Sequence, residues 1–442
     1  MAELDLSVDP RRCYAERSME AAEAARLVES GDLIWVPIGH TPVSLLAAVA
    51  AREKELRGVK VRAALIPDVG WFRADAREHF DLQVQFAILP DNRKALEDRI
   101  LDLHLFSMIR QHKAIDIERE EGEPIDELLL VVSPPNEQGW LCVGNSVWDA
   151  VTTARRARKV IAEVNASTTI TCGDSWLHVS QFDALVEAHR PPISLPSPAD
   201  FSPVDRAIAS HVKTLVRDRD TLQVGLGSHT GSLARLGAFD DAEDLGFFSE
   251  LTVPGVVDLV RRGNITSRFA EVHPRRVVAC HIGNSAEDLA FIQHNPVFEL
   301  QSYDHTNDPR VIARHERMLA INGALMVDLS GQIGVYAIGS RVYTGLGGHL
   351  GFAIGATLSE RGRYVSVIPS TARGGTVSTI VPRFAEGQIV SVPRELADTV
   401  VTEHGIARLL GKSVRERAAA LIEVAHPEFR GELRKAAVAM YG

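Results

Sequence analysis

One glutamate stands out in the sequence because apolar residues surround it. In the segment "DLGFFSELTVPGVVDLVRRGNI", Glu250 follows Phe247 and Phe248 and precedes Leu251 and Val253. Apolar neighbours hinder the solvation of a carboxylate, and a poorly solvated carboxylate is a candidate nucleophile or base. A structural interpretation also fits, because acidic residues are favoured near helix N-termini and a helical pattern follows. The residue types alone leave both interpretations open.

A glycine-containing turn could bring backbone N–H groups close to a ligand. In "VGLGSHTG", Gly225 and Gly227 follow a predicted strand and precede a predicted helix, and a helix start suits a phosphate or carboxylate. The spacing is not that of the dinucleotide motif GxGxxG, because Thr230 occupies the position of the third glycine. An ordinary tight turn between a strand and a helix is therefore the alternative interpretation.

Two later segments share this character. The segment "YTGLGGHLGFAIGA" at 343–356 is rich in glycine, although glycine inside a regular element costs about 0.5–1 kcal/mol relative to alanine. A backbone placed against a ligand accounts for that density better than a purely structural role. The segment "PSTARGGTVST" at 369–379 adds hydroxyl groups and one cation, Arg373, that could bind phosphate. Taken alone, this last segment also fits an exposed loop.

Histidine and cysteine patterns indicate no competing centre. The 16 histidines form no HExxH pair, no GxSxG motif occurs, and the cysteines have no CxxC spacing. The four cysteines are typical of buried thiols in a reducing compartment, and they are Cys13, Cys142, Cys172 and Cys280. We therefore predict no metal site, and carboxylates remain the candidates for a nucleophile or base.

The composition is that of a globular protein that binds neither nucleic acid nor a membrane. Of the 442 residues, 45% are hydrophobic and 24% are charged, and the net charge is −10. No segment concentrates Lys and Arg with aromatic residues, and no apolar run approaches about 20 residues. The N-terminus is charged and lacks an apolar signal segment. These features predict a cytoplasmic protein.

The candidate residues are set among alternating strand and helix patterns. Short β-branched runs such as "DLIWVPIG", "ELLLVVS", "TLQVGLG" and "YVSVIPS" alternate with helical segments such as "PVSLLAAVAAREKEL" and "SVRERAAALIEVA". This alternation predicts an α/β fold with largely parallel sheets. Residues 31–49 and 219–237 share a strand, a glycine turn and a helical pattern, which suggests two similar halves. The Pro- and Ser-rich segment 189–205 is the best candidate for a linker between them.

Together these segments resemble the acetyl-CoA hydrolase/transferase family of class I CoA-transferases, the group that contains 4-hydroxybutyrate CoA-transferase. The resemblance runs from about residue 133 to 433 and is strongest in the C-terminal half. Matching segments include "TLQVGLG", "DLGFFSELTVPGVVDLVRRGNIT", "YDHTNDPRVIARHERMLAINGALMVDLSGQIG", "TGLGGHLGF" and "PSTARGGTVSTIVP". The resemblance implies two related open α/β domains, which we place at residues 1–200 and 201–442, with the catalytic glutamate in the second.

The same resemblance implies a function. It implies an acyl-CoA:carboxylate CoA-transferase that acts on a short-chain or a small hydroxy- or dicarboxylic acyl group. Glu250 would be the nucleophile that forms first a mixed anhydride and then a glutamyl-CoA thioester. Acyl-CoA and a small carboxylate would be the substrates. The resemblance implies no tightly bound cofactor, and the expected assembly is a homo-oligomer, namely a dimer.

Further site residues are implied in the same way. Asn307 and Glu403 fall on supporting active-site positions, and the Gly348 amide is a candidate oxyanion donor. Arg373 stands where the family pattern usually has lysine. The positions implied to contact CoA are Gly225, Leu226, Gly227, Ser228, His229, Leu325, Thr344, Gly348 and Arg373.

Several departures from the family pattern lie around the acyl site. Gly351 replaces an acid, Val253 and Pro254 stand beside Glu250, and His404 replaces a tyrosine. These departures imply an altered acyl or acceptor specificity, or a loss of activity. An acyl-CoA hydrolase that uses the same nucleophile is therefore one alternative. A non-catalytic CoA-binding protein is a less favoured one.

Overall fold

Two large β-sheets flanked by helices organise the chain. The structure is a computed structural model, and it describes residues 4–86, 88–109, 113–116, 122–189, 200–345 and 347–442. The α/β fold that the alternating sequence patterns predict is confirmed. Within the described ranges, no helix combines the length and the apolar character needed to cross a bilayer.

The first sheet lies in the N-terminal half, and its seven described strands are all parallel. Leucine- and valine-rich runs form its central strands, which are almost wholly buried, as in a parallel sheet that helices cover on both faces. Across the sheet the strands are Ala184–Ala188, Lys159–Asn165, Glu127–Val132, Leu33–Val36, Val59–Ala63, Phe80–Val84 and Leu101–Leu103.

The second sheet has nine described strands and carries Glu250. Neighbouring strands are parallel, except that Gly405–Arg408 pairs antiparallel with Thr399–Thr402. Across the sheet the strands are Gly405–Arg408, Thr399–Thr402, Arg363–Val367, Met318–Gly323, Thr221–Val224, Gly246–Phe248, Val277–Ala279, Phe298–Leu300 and Cys172–Gly173. The carboxyl ends of its parallel strands share one edge, so residues that follow different strands are brought together there.

The two halves of the chain share the second sheet. Its outermost described strand, Cys172–Gly173, comes from the N-terminal half and pairs with Phe298–Leu300. Residues 190–199, most of the predicted linker, lie outside the described residues. The division into domains at residues 1–200 and 201–442 therefore stays a prediction.

Helices cover both sheets, and the last of them begin with clear signals. Ser413 Oγ accepts from the Glu416 N–H while the Glu416 carboxylate accepts from the Ser413 N–H, which is the capping box that this spacing predicts. The α-helices are Pro10–Arg17, Ala21–Ala24, Val43–Ala51, Pro90–Glu97, Ala150–Ala154, Pro203–Lys213, Val256–Arg261, Ala286–Ile292, Tyr303–Thr306, Pro309–Ile312, His349–Leu358, Val414–Val424 and Pro427–Tyr441. Short strands outside the two sheets are Trp140–Cys142, Trp176–His178, Met326–Asp328, Ile333–Gly334, Ala337–Ile338, Arg341–Val342, Thr371–Ala372, Val377–Ser378 and Ile380–Val381.

The prediction of a helix after "VGLGSHTG" is wrong. Only the three-residue 3₁₀ helix Thr230–Ser232 and a series of turns follow the strand Thr221–Val224. Gly231 and Gly237 lower the helix propensity of this segment, and Gly237 has a φ of 76°, which does not fit a helix. The turn therefore presents no α-helix N-terminus to an anion. The corresponding segment of the first half does form a helix, Val43–Ala51.

Candidate active site

Glu250 follows the strand Gly246–Phe248 in the middle of the second sheet. Phe247 and Phe248 are each 1% exposed, and they pack into separate hydrophobic clusters. The Glu250 carbonyl accepts a hydrogen bond of 2.9 Å from the Cys280 N–H. The apolar neighbours that stand out in the sequence therefore anchor the backbone that carries Glu250.

The Glu250 carboxylate is held through one of its two oxygens. Oε2 accepts a 2.6 Å hydrogen bond from the Gly348 N–H and a 2.8 Å hydrogen bond from Asn307 Nδ2. Among the described residues, no group donates a hydrogen bond to Oε1. Burial raises the pKa of Glu250, and the hydrogen bonds from Asn307 and Gly348 partly oppose that rise. The result is a fixed carboxylate with one unengaged oxygen, which suits a carboxylate nucleophile.

Position 348 has to be glycine because its backbone touches the carboxylate. A Cβ atom at Gly348 would lie closer than 3.0 Å to Glu250 Oε2 and to Asn307 Nδ2. The φ of Gly348 is −72°, which any residue adopts, so the close approach and not the conformation requires glycine. The structure thus brings three residues singled out from the sequence, Glu250, Asn307 and Gly348, into direct contact.

Behind Asn307 lie buried residues that the sequence did not single out. Thr306 Oγ1 donates to Asn307 Oδ1 over 2.9 Å, and Cys280 Sγ lies 2.9 Å from Thr306 Oγ1. Asn307 Nδ2 also lies 3.4 Å from Met108 Sδ. Cys280 directly follows the strand Val277–Ala279, which neighbours the strand before Glu250, so its position carried a signal. Met108 carried none, because it comes from the other half of the chain.

Segments from the first half complete the site. A Cβ atom at Gly345 would overlap the backbone carbonyl of Gln85, which follows a strand of the first sheet. A Cβ atom at Gly351 would lie 2.7 Å from the Asn307 carbonyl oxygen and 3.4 Å from Ile109 Cγ1. Glycine at these two positions lets the halves approach each other around Asn307. An acid at position 351, as in the family pattern, would require this contact to open.

The other residues implied to contact CoA, and the supporting residue Glu403, lie mostly along the carboxyl edge of the second sheet. Residues 225–229, Leu325, Arg373 and Glu403 follow four successive strands that lead away from the strand before Glu250. With about 4.8 Å between neighbouring strands, these positions form a row roughly 14 Å long. Hydrogen bonds and ion pairs of the described residues do not join this row to Glu250.

Several side chains in or near this row are open to solvent. Leu226 is 55% exposed and Leu325 is 39% exposed. Ser228 and Arg373 are also exposed, whereas Thr344, in the segment before Gly348, is half-buried. Exposed apolar groups beside a hydroxyl and a cation are compatible with an elongated ligand that has apolar and phosphate parts.

Two polar residues of the row already have partners within the protein. His229 Nδ1 lies 2.7 Å from Asp205 Oδ1. The Glu403 carboxylate accepts hydrogen bonds of 2.8 Å from the Ser370 N–H and 2.5 Å from Ser370 Oγ. These contacts hold the two side chains in place. They give Glu403 a structural role in fixing the loop that leads to Arg373.

Glycine in the turn at residues 225–229 is explained by packing inside the protein. A Cβ atom at Gly225 would lie closer than 3.0 Å to Asn322 Oδ1, and one at Gly227 would lie 2.8 Å from Thr230 Oγ1. Asn322 in turn exchanges two amide hydrogen bonds, of 2.8 and 3.0 Å, with Gln223. These contacts account for both glycines, which therefore do not by themselves indicate a ligand.

Comparison with known proteins bears on the identity of this site. Residues 1–195 match the acetyl-CoA hydrolase/transferase N-terminal domain, and residues 285–437 match the C-terminal domain of the same family. The 4-hydroxybutyrate coenzyme A transferase of Clostridium kluyveri is 38% identical over 422 residues, which cover 95% of this chain and 97% of that protein. The succinyl-CoA:cyclohexane-1-carboxylate CoA transferase of Geobacter metallireducens is 34% identical over 427 residues, with 96% and 95% covered.

A solved structure shares the fold over nearly the whole chain. RipA from Yersinia pestis matches with a TM-score of 0.89 at 30% identity, and the match covers 98% of this chain and 100% of that chain. The family resemblance seen in the sequence and the two-sheet α/β fold are both confirmed by these matches. The chain is a member of the acetyl-CoA hydrolase/transferase family of CoA-transferases.

Proposed function

We propose that this enzyme is an acyl-CoA:carboxylate CoA-transferase in which Glu250 carries CoA as a thioester. The observation that carries the proposal is the surroundings of the Glu250 carboxylate. Two neutral donors hold Oε2, and no titratable side chain of the described residues hydrogen-bonds to either oxygen. Transfer of CoA between two carboxylates moves no proton overall, so a nucleophile without a neighbouring acid or base suits this reaction.

The first half of the reaction begins at the unengaged oxygen. Glu250 Oε1 attacks the thioester carbon of acyl-CoA, the C–S bond breaks, and CoA leaves as a thiolate. The thiolate then attacks Cδ of Glu250 in the mixed anhydride, the C–O bond breaks, and the donor acid leaves as a carboxylate. Glu250 is now a glutamyl-CoA thioester. An incoming carboxylate reverses these steps and leaves as the new acyl-CoA.

The two donors on Oε2 support the steps that take place at the glutamate carbon. When the thiolate attacks Cδ, negative charge develops on Oε2, where the Gly348 N–H and Asn307 Nδ2 already point. Donors that are in place before the reaction stabilise such an oxyanion without reorganisation. This arrangement supports Glu250 as the nucleophile, with Gly348 and Asn307 as the oxyanion donors.

The same surroundings favour transfer over hydrolysis. A water molecule that attacks the anhydride or the thioester has to lose a proton, and a general base contributes about 10²- to 10⁴-fold to such a step. The described groups that hydrogen-bond to the carboxylate are an amide and a backbone N–H, and neither accepts a proton. We therefore favour CoA-transferase activity over acyl-CoA hydrolase activity.

Consumption of acyl-CoA is expected to depend on an added carboxylate. Because the described contacts of Glu250 supply no general base, release of CoA without an acceptor should be slower by about 100-fold or more. The measurement is the rate of free thiol release and of acyl-CoA exchange, with and without acetate, for short-chain, hydroxy- and dicarboxylic acyl-CoAs. Thiol release at the full rate without any acceptor would show a hydrolase instead.

We place bound CoA along the row of residues at the carboxyl edge of the second sheet. The row starts beside Glu250 at residues 225–229 and ends near Arg373 and Glu403, which leaves the thiol end at the nucleophile and the phosphates at the cation. The net charge of the protein is −10, so a local cation has to offset the repulsion between the protein and the phosphates. Arg373, exposed in its loop, is placed to supply that charge.

The variant Arg373→Ala is expected to raise the KM for acyl-CoA about 10- to 100-fold, the range that one charge-assisted contact to phosphate implies. The KM for the carboxylate acceptor should change little, and added salt should weaken CoA binding less in the variant than in the wild type. The matched control is Arg383→Ala, which removes another exposed arginine. Acyl-CoA kinetics and salt dependence equal to the wild type would remove Arg373 from the binding site.

A further inference from the structure

We propose that Cys280 and Thr306 are positioning residues that hold the Asn307 side-chain amide in the orientation that the nucleophile needs. The proposal rests on the proposed function, because Asn307 acts as a donor to Glu250. It concerns one hydrogen-bonded line of buried side chains, which runs from Cys280 through Thr306 and Asn307 to Glu250. We refer to this line as the amide-orienting chain.

The orientation of the Asn307 amide is a choice between two states. An asparagine can present either its NH₂ group or its oxygen to a neighbour, and its other partners decide which. Because Thr306 Oγ1 donates to Asn307 Oδ1, the NH₂ group is left to face Glu250 Oε2 at 2.8 Å. The opposite orientation would set the amide oxygen against the carboxylate, and two acceptors would then repel each other.

The orientation of the Asn307 amide therefore depends on which acceptor receives the single proton of the Thr306 hydroxyl. More than one acceptor lies within reach. Thr306 Oγ1 lies 2.9 Å from Asn307 Oδ1, 2.9 Å from Cys280 Sγ and 3.4 Å from the Ser302 carbonyl oxygen. If the Cys280 thiol donates its own proton to Thr306 Oγ1, the threonine proton cannot go to sulfur. Burial raises the pKa of the Cys280 thiol well above its usual value, which keeps this donor protonated.

The amide-orienting chain is buried away from water, so no solvent molecule can replace a hydrogen-bond partner that a substitution removes. Cys280, Thr306 and Asn307 are all 0% exposed. The backbone of Cys280 also contacts the nucleophile, because its N–H donates to the Glu250 carbonyl over 2.9 Å. Cys280 thus holds Glu250 directly through its backbone N–H and indirectly through Thr306 and the side-chain amide of Asn307.

The test is the variant Thr306→Val, which keeps the shape of threonine and removes the hydroxyl. Asn307 remains present but loses its orienting partner, so kcat should fall about 10- to 100-fold. This fall should not exceed the fall in kcat that complete removal of an oxyanion donor causes. The KM for acyl-CoA should stay within about twofold of the wild type, because the CoA-binding row is untouched. The variant Thr306→Ser restores the hydroxyl and should recover most of the activity.

The pH profile provides a readout that a merely structural change would not move. The hydrogen bond from Asn307 lowers the pKa of Glu250, against the effect of burial. When that bond is weakened, the pKa of Glu250 rises further. Because Glu250 has to be ionised to attack, the acidic limb of the kcat/KM profile should move to higher pH in Thr306→Val and return in Thr306→Ser.

Cys280→Ala is the second variant, and it keeps the proposal testable if Thr306→Val does not fold. It removes one neutral hydrogen bond from the chain, so kcat should fall about 3- to 10-fold, with the pH limb displaced in the same direction. The matched control is Thr153→Val, because Thr153 is also a buried helical threonine and its hydroxyl makes no hydrogen bond in the described structure.

The outcomes separate this proposal from the proposed function. The amide-orienting chain would be overturned if folded Thr306→Val kept the wild-type kcat and the wild-type pH profile. If Thr306→Val does not fold, the same result in Cys280→Ala would overturn it. If Glu250→Gln is inactive in the same assays, the nucleophile role would stand despite that result. Full activity in Glu250→Gln would instead overturn the function on which the chain depends.

Discussion

The variant Glu250→Gln is expected to lose CoA transfer by about 10⁴-fold or more, the scale that removal of a nucleophile brings. Glutamine has nearly the shape of glutamate, and the donors from Gly348 and Asn307 require an oxygen at the Oε2 position. They therefore direct the glutamine NH₂ group to the position of Oε1, where the attacking oxygen should be. The fold stays intact while the nucleophile is removed. Steady-state exchange between an acyl-CoA and acetate measures the loss.

A covalent adduct tests the same role directly. Wild-type protein mixed with a productive acyl-CoA should gain the mass of CoA less one water, on a peptide that contains Glu250. Glu250→Gln should gain no mass, and borohydride should inactivate only the protein that carries the thioester. The control is Glu432→Gln, which changes an exposed glutamate of the last helix and should react as the wild type does. An adduct on another residue, or full activity in Glu250→Gln, would contradict the proposed role.

The variant Gly348→Ala is expected to lower kcat about 10²- to 10³-fold, the cost of losing an oxyanion donor. A methyl group at this position would overlap both Glu250 Oε2 and Asn307 Nδ2. The carboxylate and the amide therefore have to move apart, and the N–H of residue 348 loses its partner. Since the φ of −72° suits alanine, the backbone itself needs no change. Single-turnover formation of the glutamyl-CoA thioester is the measurement that isolates this step.

The control for Gly348→Ala is an open glycine elsewhere. Gly431 lies exposed in the helix Pro427–Tyr441, with no atom within 4 Å of a Cβ built on it. Gly431→Ala should keep full activity and raise the free energy of unfolding by up to about 1 kcal/mol, because alanine is the better helix former. An activity of Gly348→Ala within twofold of the wild type would show that the close approach at position 348 has no part in catalysis.

Local sequence patterns were sufficient for the fold class, whereas the residues at the centre of the candidate site were predicted from the family resemblance. The continuous apolar run at Glu127–Val132 forms a buried parallel strand, as its composition indicates. Glu250, Asn307 and Gly348 each lie in a short segment that resembles the family, so each could be singled out separately. Their direct contact follows because Glu250 and Asn307 come after strands of one parallel sheet, at its shared carboxyl edge.

Other parts of the site depend on contacts between distant segments, which local patterns do not encode. Met108 reaches Asn307 from the first half, and Gln85 meets Gly345 in the same way. Cys280 read as an ordinary buried thiol, because its partner Thr306 lies on a different element. The helix predicted after Gly227 is wrong for a separate reason, because glycines inside the segment outweigh an otherwise helical pattern.

The short strand Cys172–Gly173 has a consequence for the newly synthesised chain. It emerges from the ribosome well before its partner Phe298–Leu300, so it has to wait for the second half to be made. An isolated C-terminal half would lack it, and the unpaired N–H and C=O groups of Phe298–Leu300 would form an open sheet edge. Open edges pair readily with other chains and lead to aggregation. In the full-length chain the N-terminal half covers this sheet edge, and separating the halves would expose it.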